Sequence, residues 1–165
     1  GTPAQETVLI RNGILESSMY DLEWARRQGV RSTGNGRRQS FQFHPIPRMS
    51  NTYLASGETP PAEIIGQTDH GLLVKRMGGG QVNPTTGDFV FDVAEGYLIE
   101  KGRVSYPVRG ATLSGNGPRV LLAVDLVGTD LGFGIGTCGK DGQGVPVSDA
   151  QPTIRIPELV VGGLL

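Results

Sequence analysis

The sequence predicts an α+β fold that is mainly β: a largely antiparallel or mixed sheet curled into a barrel, with two or three short helices. Short apolar runs alternate with hairpin-type turns, and no internal repeat is evident. The 26 glycines and 11 prolines keep the predicted elements short, while 37% apolar content is enough for a core. We therefore expect residues 1–165 to form a single domain.

A hairpin and a helix are predicted at the start of the chain. The dipeptide Asn12-Gly13 stands between two apolar runs, which is the strongest short-range signal for a β-hairpin. Asp21 then has the side chain to cap a helix over residues 22–28. Gly29 is suited to end that helix in the left-handed conformation.

The middle of the chain contains the clearest strand. Apolar and polar residues alternate over 88–100, which predicts a long β-strand, and a shorter strand is expected over 71–75. Thr59 is followed by two prolines, a pattern typical of a helix start with threonine as its cap. Asn116 is expected to cap another helix over residues 118–125.

The only cysteine, Cys138, stands in a glycine-rich run that predicts a loop within residues 130–147. Three interpretations of this thiol stay open on pattern alone. It is a small buried hydrophobe, or a reactive nucleophile whose pKa is lowered by Lys140 and loop amides, or a metal thiolate. A single cysteine is too few for zinc, so on the third interpretation the other ligands lie elsewhere.

A second glycine cluster is formed by Gly78, Gly79, Gly80 and Gln81. No Gly-Lys-Ser/Thr follows these residues and no helical pattern succeeds them, so the run is not a phosphate-binding loop. Two interpretations remain: a plain flexible turn, or a strand edge bare of side chains against which an extended peptide can lie.

The two histidines do not form a self-contained metal motif. His44 precedes a proline and His70 precedes a glycine, and neither starts a His-Glu helix. A zinc site built from His44, His70 and Cys138 is a weaker hypothesis than two loop or core histidines. A Cys-His dyad on the same residues lacks a recognisable signature around the cysteine.

Charge and targeting signals exclude several classes of function. The net charge of −1 gives no general attraction to nucleic acid or to a membrane surface. Locally, residues 26–48 contain six arginines and no acidic residue, which favours a solvated or ion-paired face over an anion site. The sequence has no 18-residue apolar run and no basic-then-apolar leader. One cysteine fits a reducing compartment, so a cytoplasmic protein is expected.

Several runs of the sequence resemble the C-terminal domain of the TldD/PmbA family, whose members are also labelled modulators of DNA gyrase. The resemblance covers essentially the whole chain in the right order. It is carried by seven runs: Gly1-Thr2-Pro3, Thr33-Gly34-Asn35-Gly36-Arg37-Arg38, Pro47-Arg48-Met49-Ser50-Asn51-Thr52-Tyr53, Met77-Gly78-Gly79-Gly80-Gln81-Val82-Asn83, Glu95-Gly96-Tyr97-Leu98-Ile99-Glu100, Arg109-Gly110-Ala111-Thr112-Leu113 and Cys138-Gly139-Lys140.

This resemblance implies a zinc metallopeptidase. TldD-type members carry a His-Glu-x-x-x-His helix that supplies two zinc ligands and a glutamate, and a cysteine of the C-terminal domain supplies the third ligand. Cys138 stands at the position of that cysteine, which favours a TldD-type subunit. The sequence lacks His-Glu-x-x-x-His and starts without methionine, so we expect a fragment of a longer protein that is inactive alone.

The resemblance also implies the partners. We expect peptide substrates, bound in part by Gly78, Gly79, Gly80 and Gln81, and a dimer formed either with a PmbA-type (TldE) subunit or with a second copy. The alternative function is a non-catalytic module that clamps peptides or docks a partner through the apolar tail at 159–165, including a gyrase-modulating protein. Direct contact with nucleic acid is not expected.

Overall fold

The computed structural model describes residues 2–163, which divide into two compact units. The first unit contains the residues up to Leu54 together with Gly132–Gln151, and the second contains Ala55–Leu131 and the residues from Pro152 onward. Three short helices are present in the described part: α1 (Leu22–Gln28), α2 (Pro61–Gly66) and α3 (Gly117–Ala123).

Strands dominate both units, which confirms the mainly β prediction. In chain order they are β1 (Ile10–Arg11), β2 (Ile14–Leu15), β3 (Gly36–Arg37), β4 (Ile46–Pro47), β5 (Asn51–Tyr53), β6 (His70–Val82), β7 (Asp88–Glu100), β8 (Arg103–Val108), β9 (Thr112–Asn116), β10 (Leu126–Val127), β11 (Gly132–Lys140), β12 (Gln143–Gln151), β13 (Ile154–Arg155) and β14 (Val160–Gly162).

The first unit is built on a three-stranded sheet in the order β11-β12-β5. Strands β11 and β12 are antiparallel, whereas β12 and β5 are parallel. The pairs β1-β2 and β3-β4 form two further small hairpins. Asn12 and Gly13 both have positive φ, 50° and 79°, so the predicted turn between β1 and β2 is confirmed. The buried apolar residues Ala25, Val145 and Ala150 contribute to the core of this unit.

Helix α1 begins and ends where the sequence predicts. The Asp21 carboxylate accepts a hydrogen bond from the backbone N–H of Trp24 at 2.7 Å, and Gly29 takes the left-handed conformation at φ 67°. Asp21 is only 5% exposed, so its carboxylate is protected from competing water. This cap anchors the helix that contributes the buried Ala25 to the first unit.

The Asp21 cap makes a measurable contribution to stability. We expect Asp21→Ala to lower the free energy of unfolding by about 1–2 kcal/mol, because the N–H of Trp24 loses its partner. Urea unfolding followed by circular dichroism measures the change. Glu23→Ala is the matched control, since Glu23 is exposed and forms only a surface ion pair with Arg27. An equal, small effect of both substitutions would contradict the role of the cap.

The second unit is organised around β7, the strand that the sequence predicts over 88–100. Strand β6 pairs along one edge of β7, while β9 and β8 pair with the two halves of its other edge. Strand β14 extends the sheet beyond β9. Buried side chains from α2 and from this sheet form the apolar core of the unit: Ile64, Val93, Ile99 and Leu113.

Two details of the predicted fold are corrected. Within residues 2–163 no sheet closes on itself, so the predicted barrel is not found. Thr59 does not cap α2, because it forms a parallel bridge with Gly128, and the cap residue is Pro60 without a side-chain bond. None of the described helices has the length and apolar character needed to cross a membrane. The last two residues of the apolar tail, 164–165, lie outside the described residues.

Candidate functional site

Cys138 lies on strand β11 rather than in a loop. It is directly opposite Val145 of β12, and its thiol is free and half-buried. The chain turns only at Asp141 and Gly142, which both have positive φ, 50° and 71°. The predicted loop is therefore wrong over β11 and β12. Glycine lowers intrinsic strand propensity, but here pairing along the whole hairpin overrides it.

The face of β11 that carries Cys138 is nearly bare over the residues that precede Cys138. Side chains alternate along a strand, so Gly132, Gly134 and Gly136 share the face of Cys138. A Cβ atom at Gly132 would meet nothing within 4 Å, and at Gly134 and Gly136 it would meet atoms only at 3.9 and 4.0 Å. Within the described chain, β11 is also an edge strand. Cys138 thus stands at the end of an open strip of backbone.

Arg48 is a buried residue whose side chain hydrogen-bonds to the backbone of Cys138. Its side chain is 1% exposed, and its Nη2 donates to the carbonyl oxygens of Cys138 and Gln143, the latter at 3.2 Å. Sequence reasoning missed this residue, because it grouped Arg48 with a solvated or ion-paired run of arginines. The only sign of this in the sequence is that the run contains no acidic residue, so Arg48 has no carboxylate nearby in the sequence to pair with.

Further side-chain bonds hold the β11-β12 hairpin against the β3-β4 segment. Lys140 Nζ donates to the carbonyl oxygen of Pro47 at 3.2 Å, and Gln143 Nε2 donates to that of His44 at 3.1 Å. Arg37 donates to the carbonyl oxygens of Met49 and Pro146 at 2.7 and 2.8 Å. All these acceptors are backbone atoms. The bonds of Lys140 and Gln143 hold the turn end of the hairpin near Cys138, whereas Arg37 reaches the hairpin only at Pro146 of β12.

The structure does not gather a metal site from the predicted candidates. His44 and His70 are both exposed, in the first and second unit respectively. No group of three or more His, Cys, Asp or Glu side chains within residues 2–163 is arranged to hold a metal ion. The zinc hypothesis based on His44, His70 and Cys138 is therefore not supported. Cys138 remains a single sulfur donor, which suits zinc only as one ligand among several.

The residues Gly78, Gly79, Gly80 and Gln81 lie in β6, at an edge of the sheet in the second unit. The pairing with β7 shifts between Met77 and Gly80, so that Gly78 and Gly79 stand opposite one residue, Asp92. This arrangement is a β-bulge, which replaces the flexible turn considered from the sequence. A Cβ atom at Gly79 would meet nothing within 4 Å, so the chain is open at that position.

Gly78 and Gly79 of this bulge and the neighbouring Gly80 have different surroundings. A Cβ atom at Gly78 would approach the side chain of Asp92 at 3.2 Å, and one at Gly80 would overlap the ring of Phe91. Packing against β7 therefore explains why Gly80 lacks a side chain. Of these three positions, only Gly79 has room for a side chain, so packing does not explain the glycine there.

Comparison with known proteins places the whole chain in one family. Residues 1–163 match the family model described as the PmbA/TldA metallopeptidase C-terminal domain. A metalloprotease TldD homolog of Haemophilus influenzae is 47% identical over 165 residues, covering 99% of this chain and 34% of that protein. A zinc metalloprotease TldD homolog of Saccharolobus solfataricus is 34% identical over 163 residues, 99% of this chain and 37% of that protein.

A solved structure shares the fold at lower identity. The crystal structure of TldE from Thermococcus kodakarensis matches with a TM-score of 0.79 and 25% identity, covering 98% of this chain and 34% of that one. The chain thus spans about a third of the length of the curated relatives described above. The family match and the identities together show that this chain belongs to the TldD/PmbA family of metallopeptidases, in the part of the sequence that forms their C-terminal domain.

Proposed function

We propose that this chain is the C-terminal domain of a TldD-type zinc-dependent metallopeptidase that hydrolyses unfolded or small peptides, in peptide maturation and degradation. The observation that carries the proposal is that Cys138 has a free, half-buried thiol. The resemblance to the family implies that the third zinc ligand stands at this position. The names of the curated relatives support the TldD type, since the Haemophilus influenzae homolog is 47% identical. Zinc content of the parent protein and of its Cys138→Ala variant tests the proposal.

Cys138 fits zinc as one ligand of three. Thiolate is among the donors that zinc prefers, and an open fourth position lets bound zinc activate water and polarise a scissile carbonyl. The other ligands and the glutamate would come from the His-Glu-x-x-x-His helix of the family, which the 165 residues do not contain. We therefore expect the isolated domain to be inactive and to retain little zinc.

Peptide binding is the second part of the proposal. Gly78, Gly79, Gly80 and Gln81 lie on the outer strand β6, where an added peptide strand can exchange backbone hydrogen bonds with the edge. Such binding recognises the backbone rather than particular side chains, so it suits unfolded segments of varied sequence. A bulge at an edge can also block unwanted strand pairing, and substitution of Gly79 separates these two roles.

The exposed edge of β11 is a second observation, independent of β6, that supports the binding of extended peptides. This strand carries Cys138, and its glycine face leaves the backbone open over Gly132, Gly134 and Gly136. A peptide that pairs with this edge runs alongside the residue that we assign to zinc. The apolar side chain of Ile135, on the opposite face of β11, is 96% exposed and is available to those side chains of an edge-bound peptide that project to that face.

The Gly79→Val variant of the parent protein tests the β6 edge. We expect the KM for a peptide substrate to rise about tenfold, or ~1.4 kcal/mol, with zinc content unchanged. The branched side chain stiffens the bulge and occupies the space beside the bare edge. Steady-state kinetics and elemental analysis provide the two measurements.

Gly66→Val serves as the matched control for Gly79→Val. Gly66 ends α2, and a Cβ atom there also meets nothing within 4 Å. It is expected to leave KM within about twofold of the original value, as is usual for surface substitutions. If Gly79→Val also leaves KM unchanged, the β6 edge does not bind the substrate.

The partner we propose is a PmbA-type (TldE) subunit or a second copy of the same protein. The similarity of the fold to TldE, at a TM-score of 0.79, supports two subunits of related architecture. The alternative function, a non-catalytic clamp or docking module that includes gyrase modulation, requires no zinc at Cys138. The same zinc measurement therefore decides between the enzyme and the clamp.

A further inference from the structure

Arg48 carries a full positive charge in the interior of the first unit. Its side chain is 1% exposed, and a guanidinium stays protonated in proteins. Among the described residues it forms no ion pair, and its Nε and Nη1 atoms have no hydrogen-bond partner. A buried charge without a counterion lowers the stability of the fold. Stability alone therefore does not account for Arg48.

Nη2, the side-chain nitrogen of Arg48 that has hydrogen-bond partners among the described residues, lies at the candidate zinc ligand. Nη2 donates to the carbonyl oxygen of Cys138 on β11 and to that of Gln143 on β12. These two carbonyls belong to opposite strands of the hairpin, next to its turn. The guanidinium of Arg48 therefore links β11 and β12 at Cys138, the residue whose side chain must point toward the zinc.

Arg48 is itself held in place from two sides. Its backbone N–H donates to the carbonyl oxygen of Asn35 at 2.9 Å, and Asn35 Nδ2 donates to the carbonyl oxygen of Arg48 at 3.2 Å. The residue before it, Pro47, accepts a hydrogen bond from Lys140 of β11 at 3.2 Å. Because the backbone of Arg48 is fixed, its guanidinium holds the carbonyl group of Cys138 in a defined position.

We infer that Arg48 is a positioning residue that sets the backbone of Cys138 for zinc ligation. The inference rests on the proposed function, in which Cys138 binds zinc. Groups that orient metal ligands through hydrogen bonds typically change metal affinity 10–100-fold when they are removed. Arg48 acts through the carbonyl of Cys138 and has no assigned contact with substrate.

The test measures zinc affinity in the full-length parent protein, by competition with a chelator. We expect Arg48→Met to weaken zinc binding roughly 10–100-fold, and Arg48→Lys, which keeps the charge and one donor, to weaken it roughly threefold to tenfold. Cobalt substitution gives a second readout, because the thiolate-to-cobalt absorption band reports the geometry of the Cys138 ligand. We expect that band to shift or weaken in Arg48→Met and to recover partly in Arg48→Lys.

Arg37→Met is the matched control, since Arg37 also donates to two backbone carbonyls of this region but not to that of Cys138. It should keep the zinc affinity within about twofold and the cobalt band unchanged. Original affinity and spectrum in a folded Arg48→Met variant would overturn the inference. If that variant does not fold, original values in Arg48→Lys overturn it equally.

Cys138→Ala separates this inference from the proposed function. If Cys138→Ala loses zinc while the Arg48 variants keep their affinity, only the role of Arg48 fails. If Cys138→Ala keeps zinc, the proposed function fails and the role of Arg48 fails with it.

Discussion

Replacing Cys138 with alanine in the parent protein is expected to remove most of a zinc content of about one atom per chain, together with peptide hydrolysis. Loss of one of three ligands leaves too few donors for tight binding. We expect kcat/KM to fall by more than the roughly 100-fold that changes around the ligands produce. Elemental analysis and hydrolysis of an unstructured peptide measure the two effects.

Thr137→Ala is the natural control for this substitution. Thr137 is the neighbour of Cys138 on β11, is exposed, and points to the opposite face of the strand. It should retain zinc and activity. If Cys138→Ala retains both as well, Cys138 is a packed thiol and the domain is better described as a clamp or docking module.

Chelation and alkylation of the unsubstituted parent protein test the nucleophile interpretation of Cys138. A zinc ligand loses activity when a chelator removes the metal, and bound zinc protects its thiolate from alkylation. A nucleophile instead remains active in chelator and is inactivated by alkylation at any zinc level. Activity that survives chelation but not alkylation would therefore contradict the proposed zinc ligation.

A second large effect is expected at Gly80, where valine should lower the free energy of unfolding by about 3 kcal/mol. An added Cβ would overlap the ring of Phe91 and lie 2.5 Å from the carbonyl oxygen of Val90. The ring of Phe91 also lies next to that of Phe89, with 5.9 Å between the ring centroids, and the carbonyl belongs to the paired strand β7. Strand β6 must therefore move away from β7 or bend.

Gly79→Val is the comparison for Gly80→Val, because the two positions are adjacent and only one is crowded. Gly79→Val should change the free energy of unfolding by no more than about 0.5 kcal/mol. Urea unfolding of the two variants, monitored by circular dichroism, gives the difference. Equal stability of both would mean that the contact with Phe91 does not require glycine at position 80.

Local signals were sufficient for several elements. The turn at Asn12-Gly13 and the cap at Asp21 depend on backbone conformations and hydrogen bonds within a few residues. Strand β7 is also recognisable, because it is half-buried along its length and its apolar residues alternate. These elements were predicted correctly because their causes lie within the segment itself.

The strand that carries Cys138 could not be found in this way. Strand β11 is rich in glycine and largely exposed, so neither propensity nor alternation marks it, and its conformation depends on pairing with β12. Arg48 was missed for a related reason. Its partners Cys138 and Gln143 are 90 and 95 residues away in the sequence.

The candidate site was found in part. Cys138 was singled out by its uniqueness and by the resemblance to the family, not by any spacing of ligands. Its role as a zinc ligand stays a prediction, as does peptide binding at residues 78–81. Within residues 78–81, Gly80 is required by packing against Phe91, whereas Gly79 is open to solvent. A glycine run in the sequence does not distinguish these two causes.

The parallel pairing of β5 with β12 has a consequence for the order of folding. Asn51 and Ser148, which pair across these strands, are 97 residues apart. The first unit is therefore discontinuous, and its sheet cannot form until the entire intervening segment has been synthesised. Closing so long a loop is slow compared with local hairpin formation. During synthesis β5 therefore remains unpaired until the β11-β12 hairpin has been made. Pairing of that hairpin with β5 then completes the sheet of the first unit.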